Sequence, residues 1–218
     1  MTVLNVFIGQ VKPGRFDEVM DTARSSAKIV ERHGAKSARL VTVAFGAEAY
    51  GSLAFAMEYE SPETFGNAYD ELMADEEIVR LMSDMRGANT PYLSQQNLTA
   101  TEVPLGSGAS DARGSVASVS VSRVVPGKQQ AAIDMTIATR EFLLSQGAVN
   151  CRLWTYEAAG SLTGAHALVI EYESMGARGK ALGSLEREAK GRKILESISS
   201  ANSPLTQLSR DVYMEIPL

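Results

Sequence analysis

The chain is poor in the residues that usually carry chemistry. Its 218 residues include one cysteine, Cys151, and two histidines, His33 and His166. A single cysteine excludes an internal disulfide and any zinc site built on several thiolates, so a reducing, cytoplasmic setting is expected. Two histidines without ligand spacing give no metal motif, so no metal is expected. Basic residues are outnumbered, 21 against 26 acidic, for a net charge of -5. With no Lys/Arg cluster to displace counterions, a nucleic-acid partner is excluded. The short run Lys190-Gly191-Arg192-Lys193 reads as a solvated helix face. Long apolar runs are also missing. No window approaches the roughly 18 residues of a membrane span, and the start, Thr2-Val3-Leu4-Asn5-Val6-Phe7-Ile8, reads as a strand rather than a leader peptide, so no membrane partner is expected. Phosphate loops, dinucleotide fingerprints and Ser-His-Asp arrangements are not recognisable: Gly106-Ser107-Gly108 falls in a linker, and Gly160 and Gly164 bracket a hairpin loop.

What is present is a duplication. Glu58-Tyr59-Glu60-Ser61 returns as Glu171-Tyr172-Glu173-Ser174, 113 positions later. At that offset Pro13-Gly14 meets Pro126-Gly127, Gly34-Ala35 meets Gly147-Ala148, Arg39-Leu40 meets Arg152-Leu153, and Pro104-Leu105 meets Pro217-Leu218; roughly a quarter of the pairs are identical. Two similar halves follow, residues 1–105 and 116–218, joined by the Gly/Ser-rich linker 106–115.

Each half reads β-α-β-β-α-β. In the first, residues 2–11 are β-branched and aromatic and stop at Pro13-Gly14; 15–33 carries apolar residues at three- and four-residue steps and ends at Gly34, a position suited to a left-handed cap. Residues 38–45 and 52–59 read as a hairpin pair around the short loop 46–51. Ser61-Pro62-Glu63 opens a helix, a second helical piece starts near Asp75, and 97–103 closes the unit. The second half places strands at 116–124, 151–157, 165–172 and 211–216, and helices at 128–146 and 175–200. This is an α+β, ferredoxin-like order. Because strand side chains alternate, Leu53, Phe55, Met57 and Tyr59 point opposite to Ala54, Ala56, Glu58 and Glu60. Helices cover one face only, so the two units are expected to pack sheet to sheet into an α/β barrel, with an interior either solid or open as a pocket.

In its element order and duplication the chain resembles the dimeric α/β-barrel superfamily, and its tandem layout is similar to NIPSNAP-like and related uncharacterised members. The resemblance implies a fold that serves cofactor-free monooxygenases, polyketide cyclases, haem enzymes of the chlorite-dismutase kind and proteins without an assigned reaction.

Residues kept in both halves, such as Arg39/Arg152, Glu58/Glu171 and Tyr59/Tyr172, are expected to serve folding. Positions that diverge toward polar or aromatic chemistry are the site candidates: Ser120, Ser122, Trp154 and Tyr156 as ligand-binding residues and His166 as a general base, since a histidine titrates near neutrality. Three functions remain open: a small-molecule-binding barrel with a pocket between the sheets; a cofactor-independent monooxygenase or cyclase acting on an aromatic substrate; and a structural protein with a filled interior. No cofactor is expected, and leftover apolar sheet edges leave a homodimer open.

Overall fold

The computed structural model describes residues 1–46, 51–106 and 112–218; most of the 46–51 loop and the middle of the linker, including Ser107 and Gly108, lie outside the described residues. The first half contains β1 (Val3–Val11), α1 (Phe16–Arg32), β2 (Ser37–Phe45), β3 (Ser52–Tyr59), α2 (Pro62–Ala74), α3 (Glu76–Arg86) and β4 (Tyr92–Val103). The second contains β5 (Val116–Val124), α4 (Gln129–Ser145), β6 (Asn150–Ala158), a 3-10 turn (Gly160–Leu162), β7 (His166–Tyr172), α5 (Met175–Arg187), α6 (Ala189–Ser199) and β8 (Leu205–Ile216). Local chemistry explains the boundaries. Ser61 and Ser174 occupy equivalent N-caps, accepting from the amides of Thr64 at 3.0 Å and Ala177 at 3.1 Å, which satisfies a donor the helix start leaves unpaired. No helix among the described residues is long and apolar enough to cross a membrane.

Within each half the strands lie β4-β1-β3-β2 and β8-β5-β7-β6, all antiparallel. The halves meet at two seams. At one, β2 pairs with β8, Val41 opposite Glu215; at the other, β4 pairs with β6, Thr101 opposite Thr155. The strands therefore run as one hydrogen-bonded ring, β1-β3-β2-β8-β5-β7-β6-β4 and back to β1. This corrects the sequence-based expectation of two sheets stacked face to face. The outer strands of each half carry unpaired amide edges, and joining edge to edge satisfies those groups while shielding the helix-free faces.

The alternation along β3 divides the molecule into layers. Leu53, Phe55, Met57 and Tyr59 face α1, α2 and α3 and belong to the first half's core with Val19, Ile29 and Leu72. Ala54, Ala56 and Glu58 face the lumen. The second half packs Phe142, Leu143, Ile170 and Tyr172 under its helices, and a third cluster, including Trp154, Val121, Ala165 and Ala167, lies inside the ring.

Two further expectations change. The single helix foreseen over 175–200 is two, because the chain turns at Glu188 with extended backbone, φ -87° and ψ 142°. Asp75 makes the same turn between α2 and α3 and marks it with a side-chain cap to the amides of Glu77 and Ile78; Glu188 makes no such bond, so the sequence carried no signal there. Both closing strands start earlier than expected. Their first turns of chain, Leu93–Asn97 and Thr206–Leu208, are exposed and lack the alternation that betrays a half-buried strand.

Candidate functional sites in the lumen and under the first-half helices

The five residues singled out from sequence separate onto two sides of the wall. Trp154 and Tyr156 share the inner face of β6 and line the lumen. Ser120, Ser122 and His166 lie on the outer, helix-facing side: Ser122 sits opposite His166 in the β5–β7 register, one residue out of phase with the lumen-lining Ala117, Val119, Ala167 and Val169. Ser120 Oγ accepts from Arg210 Nε at 3.3 Å. His166 is 8% exposed, and burial lowers its pKa, so the imidazole is neutral near pH 7. The wall thus separates His166, the expected general base, from Trp154 and Tyr156, two of the expected ligand-binding residues. Cys151 is buried, and burial pushes its thiol up to about 12, so it stays protonated.

The lumen is not filled, contrary to the structural reading. A cavity of about 150 Å³ remains, bounded by Leu4, Val6, Ile8 and small residues such as Ala54, Ala56, Ala117 and Ala167. One end is closed by charge. Arg39 donates from Nε and Nη2 to Glu215 at 2.9 Å each, from Nη1 to Glu171, and from Nη2 to the Gly114 carbonyl at 2.7 Å. Arg152 mirrors it, holding Glu102 through two bonds of 2.8 Å and Glu58 through one of 2.8 Å. Arg113 adds a second bond to Glu58 at 2.6 Å. Arg39 and Arg152, Glu58 and Glu171, and Glu102 and Glu215 are each 113 residues apart, so the two clusters are copies, each joining one half's arginine to the other half's strand-three glutamate. Burial works against both guanidinium charges, yet the carboxylate hydrogen bonds outweigh it and raise both pKa values. Burial also works against the Glu58 and Glu102 charges, and Arg152 overcomes it, holding both below the usual carboxylate range. Arg152 further lies 4.4 Å from the centroid of the Trp154 ring, a cation–π contact.

A second chamber of about 160 Å³ lies outside the ring, between the first half's sheet and its helices. Phe7, Phe55 and Phe65 from β1, β3 and α2, with Met57, Met82 and Met85, give it aromatic and thioether walls, an adaptable surface for a flat ligand. Asn5, 7% exposed, is an unexpected polar residue on this apolar face of β1. Its Nδ2 donates to Asn97 Oδ1 at 2.9 Å and to the Leu98 carbonyl at 3.0 Å. With Oδ1 so engaged, the outward donor of the exposed Asn97 side chain is its amide nitrogen. An adjoining opening is lined by Asn5, Asn97, Phe65 and Tyr69. Arg86 is the one charged side chain lining the chamber among the described residues. Burial raises the phenol pKa of Tyr59, and burial followed by the charge of Glu18 pushes Tyr92 up to about 12, so both are neutral donors.

Sequence reasoning missed this chamber because it sought divergence in the second copy alone. The same alignment places Asn5 against Ser118, Phe65 against Arg178 and Asn97 against Arg210. In the second half Arg178 Nε donates to Ser118 Oγ at 2.7 Å, so a polar bridge stands where the first half has an aromatic wall.

Among the described residues neither chamber has a histidine or cysteine lining it. His33 instead joins the end of α1 to Glu71 at 3.1 Å and Asp75 at 3.0 Å. Spaces sized for one or two fused rings, without an imidazole or thiolate to meet iron, do not fit a haem. Among the described residues no group of three or more His, Cys, Asp or Glu is poised for a metal.

Comparison with protein-family models finds no match, and no curated protein is similar in sequence. Solved structures are similar in fold. A candidate monooxygenase from Fusobacterium nucleatum subsp. nucleatum superposes with a TM-score of 0.63 at 10% identity, covering 99% of this chain and 93% of its own. An anthrone oxidase-like protein gives 0.59 at 15% identity, with 99% and 91% covered. A chlorite dismutase variant from Candidatus Nitrospira defluvii gives 0.56 at 12% identity, with 99% and 92% covered. The likeness over the full length of the chain is to these proteins, which corrects the NIPSNAP-like affinity inferred from sequence. At these identities the likeness is one of fold.

Proposed function

We propose that the chain is an oxygenase-type enzyme acting on a small aromatic substrate held in the chamber between the first half's sheet and helices. The observation that carries the reading is the composition of that chamber: aromatic and methionine walls, the Asn5–Asn97 amide pair at one edge, Arg86 as its charge and no carboxylate or imidazole among the lining residues described. The first two fold relatives, a candidate monooxygenase and an anthrone oxidase-like protein, support the same class.

A chamber without a base promotes oxidation by making the substrate more acidic. Arg86 and the Asn97 amide stabilise an enolate or phenolate oxygen, as donors aimed at developing charge do, and the apolar walls admit dioxygen beside the electron-rich ring. Conversion of a ring methylene to a carbonyl consumes one O2 and releases one water, with all four electrons supplied by the substrate, so this reaction balances without an external reductant. The size admits two fused rings: an enclosed apolar cavity of ~150 Å³ accommodates benzene, and this chamber continues into the adjoining opening lined by Phe65, Tyr69 and Asn97.

The test is oxygen uptake by the purified chain with 1,3-indandione and anthrone as probes of increasing size. Uptake is expected with indandione, reduced at least tenfold in Asn97→Leu at unchanged melting temperature. Absence of uptake with either probe, or full activity in Asn97→Leu, overturns the assignment.

A further inference from the structure

The lumen cavity is separate from the chamber under the helices, and β3 shows the separation: Ala54 and Ala56 face one space while Phe55 and Met57 face the other. An eight-stranded ring is just wide enough for its own side chains to fill or for one small ligand. Here alanine at 54, 56, 117 and 167 withdraws volume that larger residues would occupy, and Trp154, Tyr156 and Tyr213 supply ring surfaces to what remains.

The two ends of the lumen differ. At the charged end every donor nitrogen of Arg39 and of Arg152 is engaged by carboxylate or carbonyl oxygen. An anionic ligand there would have to displace a buried carboxylate, and a cation would meet guanidinium groups. Among the described residues the other end is closed mainly by apolar packing: Val121, Ala165 and, from the 3-10 turn, Leu162 belong to the cluster around Trp154, with Asp211 buried on the same face opposite Val119. Displacing one leucine on a three-residue turn disrupts far less than opening a network of buried ion pairs, which makes the 3-10 turn the way in.

We propose that the lumen is a binding site for a neutral, single-ring aromatic molecule, admitted past Leu162 and seated against Trp154 among the alanines. The cavity volume matches an apolar space that stays dry and takes up benzene, and the ion pairs at its far end leave no charge for the ligand to neutralise. The site is independent of the oxidation proposed for the outer chamber.

Trp154 is the chain's one tryptophan, so its fluorescence reports on the lumen directly. Titration of the full chain with iodobenzene, a heavy-atom quencher, is expected to give saturable quenching. Ala117→Leu, which fills the lumen, is expected to weaken that binding at least tenfold, and Ala23→Leu, which fills the outer chamber, to leave it unchanged. Ala167→Val is a gentler filling variant should Ala117→Leu fail to fold, and crystals soaked in iodobenzene are expected to show the iodine beside Trp154. Quenching that rises linearly without saturation, saturable binding that both lumen-filling variants leave intact, or iodine found only in the outer chamber overturns the proposal. Oxygen uptake by Ala117→Leu separates the two sites, since it tests the outer chamber alone.

Discussion

Arg39 and Arg152 exchange partners between the halves: Arg39 binds Glu171 of the second half, and Arg152 binds Glu58 of the first. The exchange ties two copies of one unit across their seams at the charged end of the lumen. Side-chain exposures of 10% for Arg152 and 6% for Glu58 put that pair out of water, where loss of one member costs far more than the pair itself contributes.

Arg152→Met is therefore expected to destabilise the fold by about 3 kcal/mol, leaving Glu58 and Glu102 facing each other without their shared cation. Adding Glu102→Gln removes one of those charges and should recover part of the loss. Chemical denaturation of the single and double variants measures both steps. A single-variant cost under about 0.5 kcal/mol would equate the pair with a surface ion pair and refute its structural role.

The depressed pKa values of Glu58 and Glu102 have a matching pH signature. Their stabilisation is present above the ordinary carboxylate range and is lost as pH falls through the folded-state values. His33 works in the opposite direction. Hydrogen bonds to Asp75 and then Glu71 raise its pKa, while the bond from His33 leads the causes that lower Asp75 to about 2. The His33 contribution is fully present below its ordinary value and fades as pH rises through the raised one; the Asp75 contribution holds above pH ~3.8 and fades as pH falls toward 2. His33→Asn should accordingly lose most stability relative to the parent near pH 5, with the gap narrowing as pH rises above neutrality. Melting curves across pH 5 to 8 check it, and a gap independent of pH contradicts the assignment.

Gly114 ends the linker against β7. A Cβ there would lie 2.4 Å from the Tyr172 carbonyl oxygen and 2.6 Å from its amide nitrogen, both backbone atoms of a paired strand. Arg39 also donates to the Gly114 carbonyl. Gly114→Ala is expected to cost about 1 to 3 kcal/mol, the range for overpacking a site that cannot yield. Denaturant titration tests this; a neutral result would show that the linker end is free to move away from β7.

Much of this architecture was readable from residue order. The 113-residue offset marks the duplication, and the periods of β1, β3, β5 and α1 give their bounds to within a residue because propensity, patterning and caps are local. Strand parity also placed Trp154 and Tyr156 on one face. It did not say which face of β5 and β7 looks inward, since Val119 and Ala167 on one side and Ser120 and His166 on the other suit either layer until helices are seated on one of them.

The sequence alone determined that there are two copies of one unit and that each has an apolar face beyond the reach of its own helices, because both properties follow from spacing along the chain. Tertiary structure decided that the copies join by their edges, that five nominated residues fall on opposite sides of a wall, and that alanines leave the lumen open. Those outcomes depend on pairing between strands more than a hundred residues apart, such as β2 with β8, which no local pattern encodes.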